Sequence, residues 1–363
     1  MKILHVITML DIGGAERLMV DLLPLLKGKG YDVDLLLLDG VETIFKDEIL
    51  QKGIKVFELS RGTDVNDSKR VYNPLNIFRL RKYIGKYDVI HTHNTASQFF
   101  VPISKKITSA KTQLVTTEHN ATNRRRDIWW FKPLDKWMYN QYKAIVCIAD
   151  QTLKNLSSYL GRDSGMLTIY NGVQIQRFIQ PLKDISNNQD FIITMVAAFR
   201  DQKDHETAMA AMKHLPSNYH LQFVGSGERE EQIKSLCSAM GLTGQVIFLG
   251  QRSDVSSILA ASDIILLSSH WEGLSLSSIE GMACGRPFVA SDVDGLREIV
   301  GGTGVLFPEG DAVALANAIE NLCSNPVRYQ QVAAHCQEKA RIYDISEMVE
   351  GYDRLYKSLS GSY

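Results

Sequence analysis

Short apolar runs alternate with longer amphipathic segments along most of the chain. Several of these runs are almost continuously apolar, which is typical of strands buried on both faces. Between the first two runs, leucines recur at the spacing of a helix, at Leu18, Leu22, Leu25 and Leu26. Strand, helix and strand in repetition predict a parallel sheet covered by helices. The strands predicted for the first half are 2–9, 32–38, 54–59, 88–91, 113–117 and 144–148.

The alternation weakens between residues 171 and 190, where one Pro and a Ser-Asn-Asn cluster indicate a linker. We therefore predict an α/β fold with two doubly wound, Rossmann-like domains. Their bounds are 1–172 and 191–344, with the linker at 173–190, and a final amphipathic segment at about 345–363 is expected to pack back on the first domain. The second domain has predicted strands at 191–197, 220–224, 246–249, 263–267, 287–290 and 305–307.

The composition excludes several classes of protein. The 363 residues include 40 basic and 41 acidic side chains, for a net charge of -1, so we expect no nucleic-acid partner. The five cysteines are far apart and form no C-x-x-C pair, which argues against a zinc site and indicates a reducing compartment. The longest nearly apolar run, 191–199, is shorter than the roughly 20 residues of a membrane-spanning helix. We therefore expect a cytoplasmic protein.

The segment HWEGLSLSSIEGMACGRPFVASDVDG, residues 270–295, carries the most specific signal. It follows a predicted strand and contains Glu272 and Glu280, with a helix expected from about Ser277. The N-terminus of such a helix offers unpaired backbone N–H groups to a phosphate. Glu280, about one turn inside that helix, is placed to accept hydrogen bonds from both hydroxyls of a ribose. The alternative is that both glutamates are ordinary surface residues.

Two cations, Arg200 and Lys203, follow the first strand of the second domain in MVAAFRDQKDHETAM. Ligands bind at the carboxyl ends of the strands in open α/β sheets. The pair is therefore expected to hold a diphosphate and to offset the charge that develops as it leaves. The alternative is a solvated loop that Asp201 and Asp204 partly neutralise.

Glycines follow two other strands. Gly13 and Gly14 come directly after the first strand, where they either let a substrate approach the backbone or form a tight turn. Gly225 lies in FVGSGERE after a strand of the second domain. Neither place has the G-x-G-x-x-G pattern of a dinucleotide site, and the sequence has no G-x4-G-K-[ST], which excludes a P-loop kinase or ATPase.

Three histidines of the first domain lie near predicted strand ends. His91 and His93 form an H-x-H pair, but no cysteine or carboxylate cluster nearby completes a metal site, so we expect no metal. His119, between Glu118 and Asn120, is expected to meet a sugar hydroxyl or a phosphate oxygen as a neutral imidazole. The alternative is a structural histidine.

Taken together, these segments resemble the retaining nucleotide-sugar glycosyltransferases of family four, of glycosyltransferase group 1, which have the GT-B fold. The resemblance runs along the chain through GGAER, TTEHN, YNGV, the cationic pair, FVGSGE, FLGQRSDV and the Glu-x7-Glu segment. It implies two domains facing across a cleft, with the nucleotide of the donor sugar on the second domain and most of the acceptor on the first. It also implies transfer that needs neither a metal nor another cofactor and retains the anomeric configuration.

The resemblance also implies roles for single residues. His119 would meet the sugar or the β-phosphate, Glu272 the hydroxyls of the transferred sugar, and Arg200 and Lys203 the departing diphosphate. Within the donor site, Gln251 and Arg252 stand where the base would stack, and Glu280 would bind the ribose. The full set of implied donor-binding residues is Gly14, Gly225, Gln251, Arg252, Gly273, Leu274, Ser275, Leu276 and Glu280.

We predict a hexosyltransferase that moves a sugar from a nucleoside diphosphate sugar, expected to be a UDP-sugar, to a glycan or lipid-linked acceptor. The expected pathway is bacterial surface polysaccharide biosynthesis. Family members often carry Arg where this chain has Ala198 and Pro where it has Ser275, and Arg200 would then take over the cationic role. Two alternatives are a nucleotide-sugar 2-epimerase of similar architecture and an inactive partner subunit.

An aromatic and basic segment, NRRRDIWWFKPLDKWMYNQYK at 123–143, follows His119. Trp and Tyr beside Arg and Lys are typical of the bilayer interface, where cations meet anionic lipid. We expect Arg124, Arg125 and Arg126 and the neighbouring tryptophans to make peripheral contact with the inner membrane face. The alternative is that the aromatic side chains pack on the sheet and the arginines are solvated.

Overall fold

The computed structural model describes residues 1–11, 14–64, 67, 69–119 and 124–360. It divides into two compact units. Unit 1 consists of Met1–Gly172 and Ile345–Tyr363, and unit 2 of Val173–Asp344. Residues 173–190, the segment predicted as a linker, are grouped with unit 2 and contain a short 3₁₀ turn at Ile175–Arg177.

Unit 1 is built on a parallel sheet whose central strands are buried. The strands are β1 (Lys2–Ile7), β2 (Asp32–Leu37), β3 (Lys55–Glu58), β4 (Val89–His93), β5 (Gln113–Glu118), β6 (Ala144–Cys147) and β7 (Met166–Thr168). Over the described part of the unit they pair in the order β3-β2-β1-β4-β5-β6-β7. The order reverses between β1 and β4, so the carboxyl ends of these two strands flank the crevice at which open α/β sheets bind ligands.

Helices cover this sheet and turn one apolar side toward it. In the first helix, Leu18, Leu22 and Leu26 are buried, as their helical spacing requires. The apolar residues form two cores. The helices of this part of the chain are α1 (Gly14–Gly28), α2 (Ile44–Gln51), α3 (Leu75–Leu80), α4 (Thr95–Thr108), α5 (Lys132–Tyr139) and α6 (Asp150–Leu160).

Unit 2 repeats this plan with a parallel sheet of its own. Its strands are β8 (Phe191–Val196), β9 (Tyr219–Val224), β10 (Val246–Phe248), β11 (Ile264–Leu267), β12 (Phe288–Ser291) and β13 (Val305–Phe307). They pair in the order β10-β9-β8-β11-β12-β13, so the order reverses between β8 and β11. The helices are α7 (His205–Met212), α8 (Glu230–Ala239), α9 (Val255–Ala261), α10 (Leu276–Ala283), α11 (Leu296–Val300), α12 (Ala312–Cys323) and α13 (Pro326–Ala340).

The last helix, α14 (Ile345–Leu359), belongs to unit 1. It buries Met348, Tyr352 and Tyr356, which recur every four residues, in the same core as the leucines of α1. Across the described ranges, none of the helices has the length and apolar character needed to cross a bilayer.

A buried arginine ties helix ends of unit 2 together. Arg286 is 7% exposed, and its guanidinium donates to the carbonyl oxygens of Ala260, Ser262 (3.2 Å), Cys284 (3.0 Å) and Pro181 (2.9 Å). Several of these carbonyls end α9 and α10, where the last carbonyls have no partner within the helix. Arg286, the arginine of the 270–295 motif, therefore stabilises the fold of unit 2.

Candidate active site

The carboxyl ends of β8 and β11 carry the predicted catalytic groups of unit 2. β8 is followed by a 3₁₀ turn, Asp201–Lys203, with Arg200 at its N-terminal end, and β11 is followed by the loop that contains Glu272. Because β8 and β11 are neighbours in the sheet, the two loops meet. The backbone N–H of His270 donates to the carbonyl oxygen of Gln202 at 2.8 Å and joins them directly.

Lys203 and Glu272 form an ion pair where these loops meet. The Lys203 ammonium donates to Oε1 of Glu272, and their side chains are only 15% and 7% exposed. Oγ of Ser269 donates to the same oxygen at 2.6 Å, and Nε2 of Gln202 lies 3.5 Å from Oε2. Each charge offsets the desolvation of the other, and the donors fix the carboxylate in place. We call these four residues the Lys203–Glu272 cluster.

Ser269 and Gln202 contact Glu272 in this cluster, and the sequence analysis missed both. Gln202 lies between the two predicted cations Arg200 and Lys203, and Ser269 lies just before the 270–295 motif. Their nearness to predicted residues is the only signal in the sequence. That both turn toward Glu272 depends on the pairing of β8 with β11.

Helix α10 begins four residues after Glu272. Ser275 is its N-cap, and Oγ of Ser275 accepts a hydrogen bond from the N–H of Ser278 at 3.4 Å. The helix starts at Leu276, one residue before the predicted start. Glu280 is the fifth residue of the helix and so lies about one turn inside it. The start of α10 therefore combines open backbone N–H groups with a carboxylate one turn away.

The loop before α10 contains one glycine in open space and depends on another that is tightly packed. A Cβ on Gly273 would meet no heavy atom within 4 Å. Gly295, the last residue of the motif, has φ +84°, and a Cβ there would lie 2.4 Å from the carbonyl oxygens of both Glu272 and Gly273. Leu274 is buried beside them. Gly295 is therefore required for packing, whereas Gly273 leaves room for a ligand to reach the backbone.

The other residues predicted for donor binding in unit 2 differ in their surroundings. Gln251 and Arg252 are exposed, and Arg252 donates twice to Asp254, at 2.7 Å for each bond. Gly225 has φ +148°, and a Cβ there would lie 2.1 Å from the carbonyl oxygen of Ala197. Packing alone therefore requires glycine at 225. The donor-binding roles of these residues stay predictions.

In unit 1, four histidines form a continuous series of rings, of which His5, His91 and His93 are fully buried and His119 is partly buried. His5 of β1 pairs in register with His91 of β4, and His93 follows on the same face of the sheet. Nδ1 of His5 lies 3.0 Å from Nε2 of His93, and Nδ1 of His93 lies 3.0 Å from Nε2 of His119. The hydroxyl of Tyr356 lies 2.6 Å from Nδ1 of His91 and 3.3 Å from Nε2 of His5. We call the four histidines the histidine row.

Burial keeps the histidine row uncharged at neutral pH. Desolvation lowers the pKa of His5 to about 3 and the pKa of His119 to about 4. For His91 and His93, burial first and the neighbouring imidazoles second lower the pKa well below the usual value. Nδ1 of His119 is buried and has no hydrogen-bond partner within the described ranges. His119 is therefore a neutral imidazole with one ring nitrogen left for a ligand.

His5, His91 and His93 also bring their ligand atoms within 4.8 Å of one another, as metal-binding histidines do. All the ring nitrogens of these three residues already take part in hydrogen bonds to one another, to His119, to Tyr356 or to Thr117. A metal ion would have to replace these bonds, so the geometry favours hydrogen bonding. His5 was missed from the sequence, although a histidine within an apolar strand was a usable signal.

The surroundings predicted for the first-domain glycines and for His119 are only partly described. Gly14 is exposed at the start of α1. Gly13 and Asn120 lie outside the described residues. Glu118, predicted to add a polar group beside His119, instead pairs with Arg126 at 3.2 Å.

The prediction that Arg125 and Arg126 face a membrane is wrong, because both side chains are buried. Arg125 pairs with Asp135 at 3.1 Å and donates to Oγ1 of Thr95 at 2.6 Å. Arg126 pairs with Glu118. The buried carboxylates of Glu118 and Asp135 require cationic partners, and that requirement outweighs solvation of the arginines.

Two tryptophans of the same segment are exposed, whereas Tyr139 and Tyr142 are buried. Trp129 is 85% and Trp130 55% exposed, and the side chain of Arg124 lies outside the described atoms. Exposed apolar side chains here alternate with exposed lysines. We call this set the aromatic patch: Ile128, Trp129, Trp130, Lys132, Leu134 and Lys136.

Two family models match the chain and between them span both units. Residues 12–177 match the model described as Glycosyltransferase Family 4, and residues 177–342 match the model described as Glycosyl transferases group 1. The chain belongs to the group 1 glycosyltransferases. The predicted family, and with it the prediction of an enzyme that transfers glycosyl groups, is confirmed.

This glycosyltransferase is similar to known proteins over nearly its whole length. It is 24% identical to the UDP-Gal:alpha-D-GlcNAc-diphosphoundecaprenol alpha-1,3-galactosyltransferase of Escherichia coli, covering 98% of this chain and 96% of the relative. It is also 24% identical to the phosphatidyl-myo-inositol mannosyltransferase of Mycobacterium leprae, covering 96% and 94%. The crystal structure of Anabaena Alr3699/HepE in complex with UDP matches with a TM-score of 0.85 at 21% identity, over 99% and 100% of the two chains. The predicted fold, two Rossmann-like domains of the GT-B kind, is confirmed.

Proposed function

We propose that this glycosyltransferase transfers a sugar from a UDP-sugar, without a metal ion and with retention of the anomeric configuration. The observation that carries the proposal is the Lys203–Glu272 cluster at the point where the strand order of unit 2 reverses, just before α10. The Anabaena structure is a complex with UDP, and the name of the E. coli relative gives UDP-Gal as its donor. Both support a UDP-sugar as the donor of this chain.

The Lys203–Glu272 cluster and the neighbouring Arg200 suit the departure of a diphosphate. The ammonium of Lys203 and the exposed guanidinium of Arg200 offset the negative charge that grows on the leaving group, which is the work that a divalent cation does elsewhere. The start of α10 adds backbone N–H groups and a partial positive charge. Glu272, held by Ser269 and Lys203, accepts hydrogen bonds from hydroxyls of the transferred sugar.

Substitution of Glu280, which is proposed to bind the ribose, tests the donor site. Two hydrogen bonds to its carboxylate are expected to be lost in Glu280→Ala, which should weaken UDP binding by roughly 1.5–3 kcal/mol in calorimetric titration. Glu320→Ala, which removes an exposed glutamate of α12, is the matched control. Unchanged UDP affinity in folded Glu280→Ala protein would remove Glu280 from the donor site.

Retention is tested on the product. In this proposal, a donor with an α-linked sugar gives an α-glycoside, which the anomeric proton coupling in the NMR spectrum of the isolated product reports. The support is the family resemblance of the Glu-x7-Glu segment. A β-glycoside from an α-linked donor would contradict it.

We further propose a lipid-linked sugar acceptor at the inner membrane face, in the assembly of a bacterial surface glycan. The names of the E. coli and M. leprae relatives both contain a lipid, diphosphoundecaprenol and phosphatidyl-myo-inositol. The aromatic patch supports such an acceptor, because exposed Trp side chains sit at headgroup level and lysines attract anionic lipid. Lys132 and Lys136 replace the buried arginines as the cations of this surface.

Membrane contact is tested by co-sedimentation with liposomes that contain or lack anionic lipid. Wild-type protein is expected to sediment with anionic liposomes at low salt, and the variant Trp129→Ser with Trp130→Ser to stay in the supernatant. Phe78→Ser, which removes an aromatic side chain of unit 1 that is 59% exposed, is the control. Equal recovery of all three proteins in the supernatant would favour a soluble acceptor.

A further inference from the structure

The histidine row is part of a longer hydrogen-bonded series that begins on α14. Nε2 of His91 lies 2.7 Å from Oγ1 of Thr117, and this oxygen lies 3.2 Å from the hydroxyl of Tyr352. Apart from His119, the members of the series have no exposed surface. From its inner end outward, the series runs Tyr352, Thr117, His91, Tyr356, His5, His93 and His119.

Each member of the series has a single side-chain proton to donate. A hydroxyl has one O–H, and a neutral imidazole has one N–H and one lone pair. A histidine that accepts on one nitrogen must therefore donate on the other. A hydroxyl that accepted from both neighbours would leave its own buried proton without an acceptor among the described residues. The links that satisfy the inner groups therefore point in one direction, with the protons directed either toward His119 or away from it.

The two ends of the series decide between these directions. With the protons directed away from His119, the hydroxyl of Tyr352 accepts from Thr117, and its own proton meets no acceptor in the part of the chain that the structure describes. The lone pair on Nδ1 of His119 is then buried without a donor as well. With the protons directed toward His119, every inner group is satisfied, and only the N–H on Nδ1 of His119 remains for a ligand. The second arrangement is favoured because an unsatisfied buried donor costs free energy.

We propose that this series fixes His119 as the tautomer protonated on Nδ1, so that His119 is a hydrogen-bond donor to the nucleotide sugar. The inference rests on the proposed contact of His119 with that substrate. An N–H suits a phosphate or hydroxyl oxygen, whereas a lone pair in the same place would repel the phosphate. Tyr356, His5 and His93 are positioning residues, since they act on the substrate only through His119.

The direction of the series is measured directly on the wild-type protein. After labelling with ¹⁵N-histidine, long-range ¹H–¹⁵N spectra distinguish the protonated from the unprotonated ring nitrogen. We expect Nδ1–H in His5, His91, His93 and His119, with signals assigned by single His→Gln substitutions. Nε2–H in these residues would overturn the proposal without reference to activity.

Tyr356→Phe cuts the series at a site far along it from His119. Without the hydroxyl, His5 is no longer held to one tautomer, so we expect a second signal, from Nε2–H, at His119. Because part of the protein then has His119 in the tautomer that cannot donate from Nδ1, kcat should fall about two- to tenfold, while KM for the nucleotide sugar changes little. An unchanged His119 spectrum in folded Tyr356→Phe would overturn the proposal.

Tyr31→Phe is the matched control for this variant. The Tyr31 hydroxyl donates to Oδ1 of Asp353 on α14 at 2.7 Å, and its ring lies 5.7 Å from that of Tyr356. Tyr31→Phe therefore removes a buried hydroxyl from the same core, and this hydroxyl is not a member of the hydrogen-bonded series. The His119 spectrum and kcat of Tyr31→Phe should match the wild type, and if kcat falls as in Tyr356→Phe, the effect belongs to core packing and the proposal fails.

The outcomes separate this inference from the proposed function. If the spectra show Nδ1–H throughout but His119→Ala keeps full activity, the direction of the series stands and the contact of His119 with the nucleotide sugar is wrong. If the spectra show Nε2–H while His119→Ala is inactive, the contact stands and the proposed direction fails. If Tyr356→Phe does not fold, the wild-type spectrum still decides the direction.

Discussion

The two units share one plan of sheet and helices, but they satisfy the polar groups near their strand-order reversals in different ways. In unit 1, histidines lie within β1 and β4, fully buried and uncharged, and hydrogen-bond to one another. In unit 2, the polar groups are the charged Lys203 and Glu272, which lie on loops beyond the strand ends and keep some exposure. Charge inside a sheet loses its hydration, whereas charge at the edge keeps part of it. The position of a polar side chain relative to the strand therefore determines whether it is neutral and hydrogen-bonded, as within the strands of unit 1, or charged and paired, as beyond the strand ends of unit 2.

Lowering the pH is expected to produce the largest difference in stability between the two units. The unfolded chain takes up a proton on each histidine near pH 6.5, while the folded chain holds the histidine row neutral because its pKa values are lowered. Stability from this source is complete above about pH 6.5 and is lost as the pH falls toward the lowered pKa values, by about 1.4 kcal/mol per pH unit for each histidine. We expect unit 1 to open first between pH 7 and pH 5, measured by hydrogen exchange of β1 and β4 against β8 and β9.

Unit 2 supplies the internal reference for this experiment. Among its described residues, His205 is the histidine whose pKa is lowered, to about 3, mainly by burial. The acid sensitivity of unit 2 should therefore be about a quarter of that of unit 1. His214→Gln, which removes an exposed histidine, should leave both curves unchanged. Equal opening of the two sheets would show that the histidine row does not control acid stability.

Lys203, in the Lys203–Glu272 cluster, and the neighbouring Arg200 are expected to have the largest effects on activity. Lys203→Ala and Arg200→Ala should each lower kcat about 10²-fold or more, because the growing charge of the diphosphate loses a cation. Arg200 is exposed, so Arg200→Ala should keep the thermal stability of the wild type. Lys203→Ala leaves the nearly buried Glu272 carboxylate without its ion-pair partner and should lower the melting temperature, so its activity is compared at a temperature at which the variant is folded. Lys213→Ala, which removes an exposed lysine just after α7, is the matched control and should keep full activity. Activity near wild type in folded Lys203→Ala would separate the cluster from catalysis.

The same cluster predicts the effect of removing metal ions. Since Lys203 and Arg200 are proposed to offset the charge of the diphosphate, activity should survive an excess of EDTA. A strict requirement for Mg²⁺ or Mn²⁺, restored by adding back the ion, would refute the metal-independent proposal.

Apolar patterns were sufficient to predict most of the sheets. The strand predicted at 305–307 coincides with β13, and that predicted at 220–224 with all but one residue of β9. β7 (Met166–Thr168) was not predicted, since it is three residues long, half-buried and without a distinct apolar run. Short strands of this kind form because a neighbouring strand offers hydrogen bonds, which a local pattern does not contain.

The candidate site was predictable where chemistry depends on the order of elements, and not where it depends on tertiary contacts. Lys203 and Glu272 could be found because each follows a strand, and ligands gather at such ends. The burial of Arg125 could not be found, because its partner Asp135 becomes a neighbour only after folding. His5 likewise gains its meaning only from its pairing with His91.

The smallest effects are expected from alanine substitutions of two glycines, Gly225 and Gly273, that lie after strands of unit 2 and are both predicted to bind the donor. Gly225→Ala should destabilise unit 2 by roughly 1–3 kcal/mol, because φ is +148° and a Cβ would lie 2.1 Å from the carbonyl oxygen of Ala197. A Cβ at Gly273 would meet no heavy atom within 4 Å, so the free energy of unfolding of Gly273→Ala should stay within about 0.5 kcal/mol of the wild-type value. Its added methyl group would instead occupy the space through which a UDP-sugar reaches the backbone, so its affinity for UDP-sugar should fall while its folding does not. Denaturant unfolding and calorimetric titration on both variants measure the two effects separately. If Gly273→Ala binds a UDP-sugar as the wild type does, the loop before α10 is not part of the donor site, and the charged cluster alone would mark this edge.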